Sequence, residues 1–401
     1  MSEVNIVSES FPSHWGRKKL KYIASLKSGD SITSESIAER GEYPVFGRNG
    51  IRGYTESFTH KGDFLLIGRQ GALCGNVNYA SGRFWASEHA VVVDVHGKTV
   101  VRWLGELLRS MNLNQFSQSA AQPGLSVDVI ANMEVPVPPL SEQLVIAEYI
   151  KREAAQIDML LAAKERVLAL MAEKRMALIT SAVTRGLDPS IPLRESGISW
   201  LGKIPHHWKI KRARWLFRER DERSVTGEEE LLSVSHLTGV TRRSEKEVTM
   251  FEAETTEGYK LCCAGDLVIN TLWAWMGAMG IAPLDGIVSP AYNVYTPTSA
   301  LDSVFVDSLV RMPVFAQEVT RYSKGVWSSR LRLYPEGFFE VWMPVPPPDE
   351  QQSIVAHIVN EKGKLDALCV ATVRTIALLK ERRAALIAAA VNGQISLKGA
   401  A

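Results

Sequence analysis

Side chains that can hydrogen-bond to the edges of nucleic-acid bases recur in the polar turns of this chain. Arginine, asparagine and glutamine make paired hydrogen bonds to base edges, while serine and lysine hold phosphate groups. The candidates are Arg48, Asn49, Arg52, Arg69, Gln70 and Gln122 in the first half and Arg242, Arg243, Asn270, Ser323, Lys324 and Arg330 in the second. Any one of them alone is more often an ordinary solvated side chain. Together they predict a surface that contacts nucleic acid.

Sequence motifs for catalysis are absent from the chain. The segment Gly97-Lys98-Thr99 resembles the end of a phosphate-binding loop, but that loop needs a glycine where Val92 stands. The chain has no Asn-Pro-Pro-aromatic string of the amino-methyltransferase type, and its eight histidines have no ligand spacing. We therefore expect a chain that is not an enzyme by itself and that binds no metal or cofactor.

The composition is typical of a globular chain. Its 401 residues are 46% hydrophobic and 22% charged, and the formal net charge is +2 at pH 7. Such a small charge does not by itself indicate a nucleic-acid partner, so that partner has to be argued from local clusters. The four cysteines lack metal-ligand spacing, and no signal peptide or long apolar run is present. We therefore expect a cytoplasmic chain of roughly two to four domains without a membrane segment.

One stretch of the chain occurs twice, at residues 136–187 and again at 344–395, an offset of 208. About 22 of about 52 aligned residues are identical, which indicates an internal repeat. In both copies apolar residues alternate three and four positions apart, as in a coiled-coil seam. The seam positions are Ala147, Ile150, Ala154, Ile157, Leu161, Lys164, Leu168, Met171, Arg175, Leu178 and Ala182 in the first copy and Val355, Ile358, Lys362, Leu365, Cys369, Thr372, Ile376, Leu379, Arg383, Leu386 and Ala390 in the second. We predict two long helices that pair.

Short signals predict where these helices begin and end. A Pro-Val-Pro-Pro run opens each copy and enforces an extended backbone, so each helix is predicted to start after it, with Ser141 or Asp349 as the N-cap. Gly186 and Gly393 are predicted to end the helices. About 44 helical residues give roughly 66 Å at 1.5 Å per residue, which is long enough for a spacer.

A second repeated string opens each globular region. Residues 12–15 and 205–208 share a Pro-x-His-Trp string followed by basic residues, at an offset of 193. Short strand patterns follow at 43–46, 63–67 and 90–94 in the first region and at 265–269 and 288–295 in the second. The loops after the matching strands differ completely, being Gly-Arg-Gln-Gly from residue 68 and Asn-Thr-Leu-Trp-Ala-Trp from residue 270. A shared frame with different loops predicts one fold used twice for recognition.

These patterns predict an α+β fold with an internal pseudo-twofold repeat. Two globular mixed α/β domains are expected to be separated by two long antiparallel coiled-coil helices. The predicted segments are 1–135 for the first domain, 136–187 for the central helix, 188–204 for a junction, 205–343 for the second domain and 344–401 for the C-terminal helix.

The order of these elements resembles the specificity subunit of type I restriction-modification systems. The resemblance covers nearly the whole chain and rests on the duplicated Pro-x-Pro-Pro-x-x-Glu-Gln helix starts and on the junction LRESGISWLGKIPHHW at 193–208. It implies that each globular region is a target recognition domain that reads one half of a split, non-palindromic site in double-stranded DNA. It also implies that the helices bind two methyltransferase subunits, which carry S-adenosylmethionine, and that restriction subunits join if the system is complete. A polar start of the second helix, at Ser353 and 356–364, is a mild departure.

Two other functions compete with this interpretation. A coiled-coil scaffold protein that does not bind DNA would also have repeated helices, but the basic opening of each unit and the divergent loops argue against it. A self-sufficient methyltransferase or nuclease is disfavoured because its motifs are missing. The sequence leaves the recognised site and its spacer open.

Overall fold

The computed structural model describes residues 11–71, 73–117, 124–246, 255–298, 301–325 and 331–395. The chain divides into two compact units: unit 1 is Met1–Arg166 with Val373–Ala401, and unit 2 is Val167–Thr372. Each unit combines one globular region with a part of each long helix. The domain boundaries predicted from the sequence, which set the helices apart as segments of their own, stay predictions.

Unit 1 is built on two four-stranded sheets and a two-stranded ribbon. Its strands are β1 (Gly16–Lys19), β2 (Ala24–Ser28), β3 (Tyr43–Gly47), β4 (Gly50–Thr55), β5 (His60–Lys61), β6 (Phe64–Gly68), β7 (Val77–Ala80), β8 (Arg83–Ala86), β9 (Ala90–Val95) and β10 (Glu134–Val137). Its helices are α1 (Val101–Ser110), α2 (Val127–Ala131) and the first part of α3 (Leu140–Arg185). The sheet orders are β2-β9-β6-β7 and β4-β3-β8-β5, and β1 pairs with β10.

The sheet β2-β9-β6-β7 is buried on both faces. Leu65 and Val93 pack with Trp103 of α1 on one side, while Leu66 packs with Phe84 on the other. A strand covered on both faces has no solvent side, so β6 and β9 are continuous apolar runs rather than alternating ones. The predicted strands at 43–46, 63–67 and 90–94 are confirmed to within a residue or two.

Unit 2 repeats this architecture with shorter pieces. Its strands are β11 (Leu193–Glu195), β12 (Lys203–Pro205), β13 (Lys209–Arg212), β14 (Phe217–Arg220), β15 (Leu232–Ser235), β16 (Gly239–Arg242), β17 (Lys260–Cys262), β18 (Leu267–Asn270), β19 (Met279–Ile281), β20 (Gly286–Val288), β21 (Tyr292–Pro297) and β22 (Trp342–Val345). Its helices are α4 (Ser303–Val310), α5 (Pro313–Arg321), α6 (Pro335–Glu340) and the first part of α7 (Pro348–Val391).

The strand order confirms that one fold is used twice. The sheet β14-β21-β18-β19 has the order of β2-β9-β6-β7, and β13 pairs with β22 as β1 pairs with β10. The turn before β9 is repeated before β21, because Ala90 N–H donates to the Ser87 carbonyl and Tyr292 N–H donates to the Ser289 carbonyl. The internal repeat therefore extends through domains whose sequences scarcely match.

The predicted strand at 288–295 is wrong as a single element. The structure divides it into β20, which ends at Val288, and β21, which begins at Tyr292. Pro290 lies in the break, where it cannot donate a ladder hydrogen bond, and the Ser289–Tyr292 turn takes its place. The apolar run thus contributes to two pairings, β20 with β17 and β21 with β18.

The long helices begin earlier and end where predicted. Ser141 and Asp349 are not N-caps, because α3 starts at Leu140 and α7 at Pro348. Proline is tolerated in a first helical turn, and the Pro139 carbonyl accepts the N–H groups of Glu142 and of the next residue at 3.0 Å. Both helices stop at glycines with positive φ, +75° at position 186 and +69° at 393, as predicted.

The predicted seam of each helix is confirmed by its burial. Every seam position except Lys362 is buried or half-buried, whereas the positions between them are largely exposed. Within unit 1, Arg383 Nε donates to Asp158 Oδ1 at 2.8 Å, and within unit 2, Arg175 Nη2 donates to Asp366 Oδ1 at 2.6 Å. The later residue of α3, Arg175, pairs with the earlier residue of α7, Asp366, so the helices are antiparallel. Within the described ranges no helix is long and apolar enough to cross a membrane.

The repeated Glu-Gln pair at each helix start connects the helix to its own domain. Gln143 is 2% exposed; its Oε1 accepts the N–H of Val100 before α1, and its Nε2 donates to the Pro138 carbonyl, both at 2.9 Å. Gln351 makes the same two bonds, from Asp302 N–H at 2.7 Å and to the Pro346 carbonyl at 2.9 Å. The sequence repeats this string because both domains need the same connection.

Replacing Gln143 by alanine should destabilise unit 1. The change leaves the Val100 N–H and the Pro138 carbonyl buried without these partners, which costs about 2 to 5 kcal/mol for the two groups. Leu144→Ala, at a 54% exposed position of the same helical turn, is the matched control. Urea unfolding followed by circular dichroism measures the difference. Equal midpoints for the two variants would show that the glutamine is not a structural connection.

Candidate nucleic-acid interface

Two loops of unit 1 that carry candidate residues meet at one end of its sheets. The β3–β4 turn holds Arg48 and Asn49, and the loop after β6 holds Arg69 and Gln70. A side-chain carbon at Gly68 would collide with the Arg48 carbonyl, so the glycine is needed for the two backbones to touch. Two adjacent pairs of candidates, about twenty residues apart in sequence, thus lie together.

Neighbouring side chains hold the candidates of the second loop in place. Arg69 Nη1 donates to Ser28 Oγ at 2.6 Å, and its backbone N–H donates to the His89 carbonyl at 3.1 Å. Gln70 Oε1 lies 2.8 Å from His89 Nδ1. Arg69 is half-buried and Gln70 is exposed. These bonds orient a guanidinium and an amide before any ligand arrives, which reduces the ordering cost of binding.

The first half has two further candidates, Arg52 and Gln122. Arg52 is exposed on β4, with its Nη2 3.4 Å from Ser34 Oγ. Gln122 lies outside the described residues, as Arg330 does in the second half. Their roles stay predictions.

An asparagine-lined cleft beside the β3–β4 turn was missed by the sequence analysis. The cleft has a volume of about 410 Å³ and its polar lining comes from three segments. The lining asparagines are Asn49, Asn76, Asn78, Asn112 and Asn114, and Arg109 joins them. Asn76 Nδ2 donates to Asn49 Oδ1 at 2.8 Å, which connects the cleft to the predicted turn. The two Asn-x-Asn strings, Asn76-Val-Asn78 and Asn112-Leu-Asn114, are the sequence feature from which this cleft could have been predicted.

A polar network holds Arg109, which lines this cleft. Glu106 is 2% exposed and forms an ion pair with Arg109 at 2.9 Å, and it accepts a hydrogen bond from the Tyr79 hydroxyl at 3.0 Å. Burial and then the Glu106 charge raise the pKa of Tyr79, so its hydroxyl remains a donor. The network fixes Arg109 at the cleft with a guanidinium available on one side.

In unit 2 the candidate Arg242 ends β16, and Arg243 follows it. Arg242 is exposed and forms an ion pair with Glu230 at 3.5 Å. Arg243 lies near Tyr292. The pKa of Tyr292 is raised, because the effect of burial exceeds the opposing effect of the positive charge on Arg243. Tyr292 in turn pairs with Asn270 across β21 and β18. Arg243 therefore lies at the same end of the sheet as the loop after β18.

Solvent exposure differs among three further candidates of unit 2, Asn270, Ser323 and Lys324. Asn270 is only 6% exposed, and its Oδ1 accepts the N–H of Leu272, so its side chain shapes the loop. Ser323 Oγ donates to the Val319 carbonyl at the end of α5, whereas Lys324 is exposed. The segment after Lys324 reaches the same loop, because Leu333 N–H donates to the Thr271 carbonyl at 3.1 Å.

The basic run that opens unit 2 is largely occupied by contacts within the unit. Arg212 and Arg214 both form ion pairs with Glu340, and Arg212 also covers the ring of Trp342 at 5.0 Å. Arg220 Nε donates to the buried Asp266 carboxylate at 2.9 Å. These arginines stabilise the domain, so the loops rather than the basic run are the candidate interface. Among the described residues no group of three or more His, Cys, Asp or Glu side chains is placed to hold a metal ion.

Comparison with known sequences gives a family match in unit 1. The family of the type I restriction modification DNA specificity domain matches residues 12–167. The EcoprrI type I specificity subunit of Escherichia coli is 47% identical over 135 residues, which are 33% of this chain and 34% of that protein. The EcoDI specificity subunit of Escherichia coli is 20% identical over 412 residues, covering 96% of this chain and 89% of that protein. The matched stretch thus spans about a third of the length of the first relative.

Comparison with solved structures concerns the fold. A chain from a structure of complex assembly in the type I R-M system aligns over 97% of this chain and 100% of its own length, with a TM-score of 0.64 and 16% identity. The HsdS subunit from Thermoanaerobacter tengcongensis aligns over 98% of this chain and 100% of its own, with a TM-score of 0.54 and 15% identity. At such identities the agreement is in architecture, with both repeats and both long helices included.

Proposed function

We propose that the chain is a specificity subunit of a type I restriction-modification system and that each of its units reads one half of a bipartite, non-palindromic site in double-stranded DNA. The family match over residues 12–167 and the 47% identity to the EcoprrI specificity subunit over 135 residues support this proposal. The observation that carries the proposal is the repeated sheet with different loop chemistry at the same place. Unit 1 presents Arg48, Asn49, Arg69 and Gln70 there, and unit 2 presents a tryptophan loop with Arg243. Side chains that differ on an identical frame suit different base sequences.

The long helices are proposed to dock two methyltransferase subunits and to set the spacer between the half-sites. Apolar side chains lie exposed at equivalent positions of the two helices: Leu160 and Leu170 of α3 are each 51% exposed, and Leu368 and Leu378 of α7 are 53% and 55% exposed. These positions differ by the repeat offset of 208. Apolar residues that recur outside the seam suit two copies of one partner.

The chemistry of the complex is assigned to the partners. S-adenosylmethionine binds to the methyltransferase subunits, and restriction subunits add the nuclease if the system is complete. The chain itself contributes DNA recognition and assembly in the cytoplasm. A scaffold without DNA binding would use the same exposed leucines, but it would not need the oriented Arg69 and Gln70 side chains of the loop after β6.

Methylation mapping tests this proposal. The chain is produced with its methyltransferase in a host that lacks other methylation, and the host DNA is sequenced for modified bases. We expect one bipartite motif whose two halves are unrelated in sequence, and no methylation or cleavage with the chain alone and S-adenosylmethionine. Methylation without a motif, or activity of the pure chain, would contradict the proposal.

A further inference from the structure

The loop after β18 in unit 2 holds a tryptophan in solvent. Trp273 is 49% exposed, although it lies only three residues after a fully buried strand. Its ring stacks on that of Trp275, with 6.1 Å between the centroids and 19° between the planes. One face of a two-ring stack is therefore available at the sheet end where the candidate residues lie.

Hydrogen bonds hold the backbone of this loop and the ring of Trp275. Trp273 N–H donates to the Asn270 carbonyl at 3.1 Å, and the Trp273 carbonyl accepts from Ala278 at 3.1 Å. Trp275 Nε1 donates to the Leu272 carbonyl at 3.0 Å, which fixes the lower ring. A rigid exposed aromatic loses little conformational freedom when a ligand stacks on it.

A segment that carries an exposed arginine is hydrogen-bonded to the same loop. Thr271 Oγ1 donates to the Ala291 carbonyl at 2.8 Å, and the Thr271 carbonyl connects to the segment that carries Arg332. Arg332 is exposed, and its backbone exchanges two hydrogen bonds of 2.9 Å with that of Lys324. An aromatic platform flanked by cations fits a nucleobase with its attached phosphates. The matching loop of unit 1 has Arg69 and Gln70 instead, so the platform belongs to unit 2 alone.

We propose that Trp273 stacks on the face of a base in the half-site read by unit 2, with Trp275 as the supporting ring. This inference rests on the proposed function, since it assigns one contact within the DNA interface. Stacking on an aromatic side chain tolerates every base, because all bases have a π face. Trp273 accordingly contributes affinity and a local distortion of the duplex, while the neighbouring polar side chains supply sequence discrimination.

The test uses the complex of the full chain with its methyltransferase and a duplex that contains the mapped site. Trp273→Ala is expected to weaken binding by about tenfold to a hundredfold, the usual loss for one aromatic–base stack. Trp273→Phe keeps a ring and is expected to restore most of the affinity. Trp215→Ala is the matched control, because Trp215 is 70% exposed and precedes β14, whose start pairs with Pro297 at the far end of β21 from Tyr292. We expect it to bind DNA as the unmodified chain does.

A second readout separates stacking from a structural role. The base analogue 2-aminopurine is placed at successive positions of the unit 2 half-site, excluding the base that is methylated. Its fluorescence is expected to change on binding at one position, to keep that change with Trp273→Phe and to lose it with Trp273→Ala.

Full affinity and an unaltered fluorescence change in Trp273→Ala would overturn the inference while leaving DNA recognition intact. Loss of methyltransferase binding in that variant, with the fluorescence change retained, would also overturn it and make the ring a protein contact. If the unmodified complex recognised no site at all, the proposed function would have failed, and this inference with it.

Discussion

Exchanging residues 24–125 for the corresponding region of a relative is expected to replace one half of the recognised site and to leave the other half unchanged. The boundaries follow the sheet, because β2 pairs along its whole length with β9 and both strands must come from one source. The exchange carries both candidate loops and the asparagine cleft, but it leaves β1, β10 and the Gln143 side chain in place. The frame should therefore fold around the new loops.

Methylation mapping of the exchanged complex measures the outcome. The reciprocal exchange of residues 217–333 in unit 2 is the matched control and should alter only the other half-site. A motif in which both halves change after one exchange would contradict modular recognition. An unchanged motif would mean that the loops described above do not contact bases.

Inserting four residues after Lys164 is expected to lengthen the spacer of the recognised site by one or two base pairs. Four residues add roughly 6 Å and rotate a helix by about 40° beyond a full turn, so the seam of α3 keeps nearly the same direction. The helix α7 can slip by one turn along it, because its apolar residues also recur every three or four positions. At about 3.4 Å per base pair, 6 Å corresponds to the expected change.

A two-residue insertion at the same place is the control. It turns the following half of α3 by about 200°, which points its seam residues toward solvent and separates Arg175 from Asp366. We expect this variant to lose assembly and methylation altogether. If the four-residue variant kept full activity with its spacer unchanged, the helices would not be what sets the distance.

Local patterns in the sequence were sufficient for the scaffold of this protein. Periodicity of three and four residues predicted the seam, and Gly186 and Gly393 predicted the helix ends, because these features depend only on neighbours along one helix. The repeat predicted two similar units, because identical sequence strings make the same contacts in each unit. The Glu-Gln string shows why: Gln143 and Gln351 make the same buried bonds in their own domains.

The tertiary structure alone decided which side chains meet. The pairing of Arg175 with Asp366 and the meeting of Asn49, Asn76 and Asn112 in one cleft depend on segments far apart in the chain, which no local period encodes. It also showed that the Asn270 side chain accepts a hydrogen bond from Leu272 N–H within its own loop and that Trp273 lies exposed in the same loop. Sequence determines how each strand and helix forms, whereas strand order, with β9 between β2 and β6, determines which loop ends share a surface.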